Sequence, residues 1–85
     1  MIKAAANEVK ITAEEEAVLL WQYRMLGHFR TALFEAIARA DQANLSRLRM
    51  GFPIEVGGFD KFTNEEGWWH ATKEKARAAG WNLPC

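Results

Sequence analysis

One cysteine, one serine and two prolines in 85 residues exclude several kinds of protein at the outset. A single thiol, Cys85, cannot close an internal disulfide or supply a cysteine-based zinc site, and this usage fits a reducing compartment, so a cytoplasmic protein is expected. Ser46, the lone serine, has no nucleophile-elbow sequence around it. No proline occurs before Pro53, so nothing of that kind interrupts a helix in the first half. Eleven basic residues balance eleven acidic ones. There is then no global field to draw the chain onto nucleic acid or an anionic membrane, and no extended nucleic-acid groove is expected. No window reaches the ~18 apolar residues that span a bilayer, and residues 1–12 lack the apolar core of a signal peptide.

What remains is the composition of a folded domain: 49% hydrophobic and 26% charged residues, without repeats or low-complexity tracts. A domain this small buries only about 60% of the surface its unfolded chain exposes, so its core is marginal. Four Trp, five Phe and one Tyr are an unusually large aromatic supply for such a core. Residues 1–11 read as a flexible leader or, through Val9 and Ile11, a short strand; residues 12–85 read as a single helical domain.

Thr12-Ala-Glu-Glu15 has the form of a capping box, and Glu14, Glu15 and Glu16 suit the positive end of a helix dipole. The expectation is one long helix from about Ala13 to Ala40, packed by two or three shorter helices, an all-α fold. On a helical wheel this rod has two apolar sectors. The wider holds Val18, Leu19, Met25, Leu26, Phe29, Ala32, Leu33, Ala36, Ile37 and Ala40. The narrower holds Leu20, Tyr23, Gly27, Phe34 and Ala38, and only Arg24, His28, Thr31, Glu35 and Arg39 form a clearly polar arc. A helix apolar on most sides is buried on most sides. Either the carboxy-terminal aromatics cover the second sector, or Leu20, Tyr23, Gly27 and Phe34 form a homo-oligomer interface.

Asp41 or Asn44 caps a short helix over about residues 43–50, with Gly51 ending it in the left-handed conformation and Pro53 beginning the next. Phe52, Val56, Phe59 and Phe62 make a helical stripe, whereas Gly57-Gly58 is also compatible with a hairpin turn; the phase of Phe59 and Phe62 favours helix. Thr63-Asn-Glu-Glu66 reads as a second capping box, opening a helix over about residues 64–79 that Gly80 closes.

No residue set points to catalysis, a metal or a cofactor. His28 and His70 lack a ligand at i+3 or i+4, Gly57-Gly58 lacks the spacing of a phosphate loop, and Glu65-Glu66 is explained as a helix start. A non-enzymatic protein is expected. Residues 17–50 carry Arg24, Arg30, Arg39, Arg47 and Arg49 against Glu35 and Asp41, a local balance of +3. Arginine binds carboxylate and phosphate through a planar fork. Adjacent helical residues diverge by about 100°, so Trp68 and Trp69 are expected to divide, one packed inward and one partly exposed as an anchor. The candidate partner-binding residues are therefore Trp68, Trp69, Phe59, Arg47 and Arg49.

The segment Met50-Gly-Phe-Pro-Ile-Glu-Val-Gly-Gly-Phe-Asp-Lys-Phe-Thr-Asn-Glu-Glu-Gly-Trp-Trp69, with Leu20-Trp-Gln-Tyr-Arg-Met-Leu26, resembles small phage and prophage proteins of unassigned activity. The resemblance covers about half the chain and brings no catalytic residues. It implies a phage-encoded accessory protein in a bacterial cytoplasm, which binds and inhibits a host defence protein. The alternatives are an oligomeric sponge for a signalling nucleotide, with Arg24, Arg47 or Arg49 on the phosphates, and a structural phage subunit.

Overall fold

The first half of the chain is not one rod. In the computed structural model, which describes residues 10–83, the backbone reverses after Gln22. The elements are α1 (Ala13–Gln22), α2 (His28–Arg39), α3 (Gln42–Gly51), α4 (Pro53–Asn64) and α5 (Trp68–Ala78). Every element is helical, so the all-α, single-domain expectation holds, while the expected long helix is replaced by helices of 10 to 12 residues. The proposed leader or strand falls almost wholly outside the described residues, as does Cys85.

Arg24 causes the break. It takes φ +60°, its N–H bonds to the Trp21 carbonyl at 3.1 Å, and the Met25 N–H bonds to the Leu20 carbonyl at 2.7 Å. These two bonds are a Schellman motif, which satisfies carbonyls that the end of α1 would otherwise leave open. The same motif closes α5, where Gly80 at φ +99° and Trp81 bond back to Arg77 and Ala76. Glycine announces the second stop in the sequence; an arginine in the left-handed position hides the first. An L-residue there costs roughly 1–2 kcal/mol. Arg24→Gly is therefore expected to raise the unfolding midpoint in urea, by about 1 kcal/mol in stability. In an uninterrupted helix the same change would lower it by a similar amount.

Three further boundaries differ from expectation. Gly51 is helical, with no left-handed φ, and the chain turns instead at Phe52 (φ −136°, ψ 61°). Thr63 and Asn64 finish α4, with the Thr63 hydroxyl donating back to the Phe59 carbonyl, so the second capping box is not one. Gly67, at φ +82°, separates α4 from α5. The first box is real: the Glu15 N–H donates to Thr12 Oγ1 at 3.1 Å, and the Thr12 N–H donates to Glu15 Oε1 at 2.9 Å.

Residues 53–62 are helix, not hairpin, and α4 is the central element, packed on α1, α2, α3 and α5. Its glycines set the approach of α1. A Cβ on Gly58 would lie 3.0 Å from both the Glu14 carbonyl oxygen and a Val18 methyl, and one on Gly57 would overlap the Glu14 carboxylate. Two apolar clusters meet along α4: Ala17, Val18 and Phe34 at one end, Leu33, Ile37 and Val56 at the other, with Phe59 packed against both. Trp21 stacks on Phe34 with centroids 4.7 Å apart and planes within 8°. The stripe expected along Phe52, Val56, Phe59 and Phe62 is the inward face of α4.

Adjacent glutamates tie α1 to two neighbours. Glu14 meets Lys61 of α4 at 2.6 Å, and Glu15 meets Lys75 of α5 at 2.8 Å. Burial pushes the Glu15 carboxyl up, but the Lys75 ammonium and the Thr12 donors outweigh it, leaving the carboxyl below its ordinary value of 4.5. A carboxyl depressed on folding adds stability above its unfolded value and loses it as pH falls through the folded one. Acidification below about pH 4.5 is expected to lower the melting temperature, with a smaller fall in Glu15→Gln, as followed by circular dichroism. The side chain is partly solvated, so solvent screening holds the ion pair to less than about 1 kcal/mol. The Glu14 carboxylate likewise holds Lys61 above its ordinary range.

Candidate functional site

The break after α1 turns part of the wide apolar sector outward. Along α2 and its C-cap, Phe29, Leu33, Ala36 and Ala40 recur at helical spacing, but only Leu33 is buried. Ala36 is exposed and Phe29 is 66% exposed, an unusual position for a benzyl group. Asp41 then caps α3 through the Asn44 N–H at 2.8 Å, and α3 packs on α4, as α2 does. Between the two helices lies a cleft of about 390 Å³ lined by Ala36, Arg39, Ala40, Asn44, Arg47, Leu48 and Phe52. Ala36, Ala40, Leu48 and Phe52 give it an apolar floor. Phe29 extends that floor, its ring 6.0 Å from that of Phe52.

The walls of this cleft donate hydrogen bonds. Arg39 stands in the last turn of α2, where the dipole favours a cation. Arg47 Nη1 donates to Asn44 Oδ1 at 3.2 Å, which steadies the guanidinium on the same face of α3. Among the described residues, Lys61, Lys75, Arg30 and Arg77 are ion-paired, whereas Arg24, Arg39, Arg47 and Arg49 are not. The unpaired arginines thus all belong to the segment of local positive balance.

A second cleft, about 660 Å³, opens at the α1–α2 junction and is lined by Trp21, Gln22, Arg24, Leu26, His28, Thr31, Ala32 and Glu35. It mixes Arg24 with the Glu35 carboxylate, and its one indole already stacks on Phe34. The arginines considered for phosphate binding do not converge: Arg24 lies in this cleft, Arg47 in the other, and Arg49 in neither.

The other sequence candidates are dispersed. Trp68 and Trp69 are both half-buried against the Ala17–Val18–Phe34 cluster, so they do not divide into one inward and one free ring. Trp69 meets Phe62 edge-on at 5.5 Å and Tyr23 at 6.1 Å, with the Lys73 ammonium 5.5 Å from its centroid. Phe59 is half-buried between the clusters. Arg47 and Arg49 are exposed on α3, which packs on α4, while α5 packs on α1 and α4, so the tryptophans and arginines do not share one surface. The oligomer candidates also part company. Leu20 and Tyr23 are half-buried, Gly27 is the exposed N-cap of α2, and Phe34 is wholly buried in the core of the single chain. The narrow sector existed only on a continuous wheel. With the rod broken, its argument for self-association falls.

Sequence reasoning missed Arg39, Ala36, Ala40, Phe29 and Phe52 as site residues. In the sequence Arg39 falls on the polar arc and the others on apolar stripes. The available signal was Asp41, whose capping role reverses the chain and leaves that face uncovered.

Among the described residues, no group of three His, Cys, Asp or Glu side chains is placed to hold a metal ion, and no helix is long and apolar enough to cross a membrane. Comparison of the chain with family models, curated proteins and solved structures gave no match.

Proposed function

We propose that this is a non-enzymatic binding protein that acts by occupying another protein, with the α2–α3 cleft as its contact surface. One observation carries the reading: Arg39 and Arg47, neither ion-paired, flank an apolar floor that runs on to an exposed Phe29. An apolar centre with a charged rim is the anatomy of an interface, and aromatic and arginine side chains dominate interface energetics. The resemblance to small phage proteins makes a bacterial host component, and inhibition by occupancy, the proposed setting.

Ala36→Arg tests this. The position is exposed on α2 and arginine is a good helix former, so the fold is expected to survive while the new side chain fills the cleft. In affinity capture from a bacterial lysate, the variant is expected to lose the partner retained by the wild type, with unchanged helicity. Equal capture by both proteins would sink the reading.

A further inference from the structure

Resting on the reading of the α2–α3 cleft as the contact surface, we infer that its occupant is an acidic amphipathic helix from another protein. Shape gives the first reason. Two helices form the walls, and Ala36 on α2 and Ala40 at its C-cap, both small, leave room for side chains to enter between them. Such a groove is filled by a helix that presents apolar anchors at i, i+3 or i+4, and i+7.

Charge gives the second. Arg39 and Arg47 are donors only, and the Asn44 side-chain oxygen already accepts one bond from Arg47. The rim side chains are thus richer in donors than in acceptors, so an occupant that brings carboxylates matches them, and carboxylates meet arginine in paired hydrogen bonds. A phosphate polymer would satisfy the rim but leave the floor of Ala36, Ala40, Leu48 and Phe52 against a polar backbone.

A second copy of this chain fits poorly. Face to face, it would set Arg39 and Arg47 against themselves. Among the described residues, five carboxylates on helices are engaged, Glu14, Glu15, Glu55 and Glu74 in ion pairs and Asp60 with Asn64, which leaves only Glu16 on α1 and Glu35 on α2, the latter in the other cleft. The exposed pair Glu65 and Glu66 sits in the α4–α5 turn, not along an apolar helical stripe.

The test uses the full chain and two labelled synthetic peptides of about 18 residues, long enough to form helix. One carries leucines at i, i+4 and i+7 flanked by glutamates; the other replaces each glutamate by lysine. Fluorescence anisotropy is expected to show the acidic peptide binding at least about tenfold more tightly, with the difference shrinking as salt shortens the screening length. Arg39→Glu combined with Arg47→Glu is expected to invert the preference. Arg39→Gln with Arg47→Gln serves if the reversal perturbs helicity, and should abolish the preference. Equal binding, a preference for the lysine peptide, or an acidic preference untouched by either pair of changes would overturn the proposal. Self-association that Ala36→Arg abolishes would overturn it in favour of a second copy. If the peptides fail but Ala36→Arg still removes a captured partner, the occupant is wrong and the cleft stands; if capture is also insensitive, both fall.

Discussion

Phe34→Ala unfolds the protein; it does not separate subunits. The ring is wholly buried, stacks on Trp21 and belongs to the cluster with Ala17 and Val18. Truncating such a ring costs about 3–5 kcal/mol, the lost transfer energy plus the cavity left behind. Natural domains are stable by only about 5–15 kcal/mol, and this one is at the small end. Urea denaturation followed by tryptophan fluorescence should show a collapsed midpoint or no cooperative transition. A variant as stable as wild type, with altered mass in light scattering, would return Phe34 to an oligomer interface and contradict the fold as described.

Gly58→Leu has an effect of similar size by the opposite route. A Cβ alone would press on the Glu14 carbonyl and Val18 at 3.0 Å, and the remaining leucine atoms have nowhere to go without parting α1 from α4. Overpacking commonly costs 1–3 kcal/mol, and an insertion at a backbone contact belongs at about 3 or above. Gly51→Leu is the control. A Cβ there meets nothing within 4 Å, so stability should hold or rise. Gly57→Ala sits between the two, since it displaces only the flexible end of Glu14. Melting temperatures should rise from Gly58→Leu through Gly57→Ala to Gly51→Leu, and equal melting of Gly58→Leu and Gly51→Leu would disprove the close approach.

These residues also mark what the sequence could and could not convey. Local grammar was legible wherever a residue type has a single conformational meaning. Thr12 with Glu15, Asp41, Pro53 and Gly80 each sit at the helix boundary their chemistry predicts. The inward stripe on α4 could be read from spacing alone. Arg24 could not, because no arginine announces a left-handed turn and the favourable propensities around it argued for continuity. That one residue carries the largest error: on an unbroken rod Phe34 belongs to a sector open either to the carboxy-terminal aromatics or to a second copy, and Ala36 and Ala40 to the wide apolar one, whereas the aromatics cover Phe34, Ala36 is exposed and Ala40 half-buried. Thr63 failed differently, since a hydroxyl suits a cap or a bond back to the preceding turn equally well, and packing chose the latter. As for the site, its two arginines are visible as charge, but the cleft exists only because α2 and α3 both pack on α4 and leave a gap between them.

Amide chemical-shift mapping of the isotope-labelled protein with the glutamate-rich peptide tests the central claim most directly. The account predicts changes confined to Phe29, Ala36 to Ala40 and Asn44 to Phe52, with Trp68, Trp69 and Tyr23 quiet. Changes centred on the Trp68–Trp69 end, with the α2–α3 face silent, would contradict it.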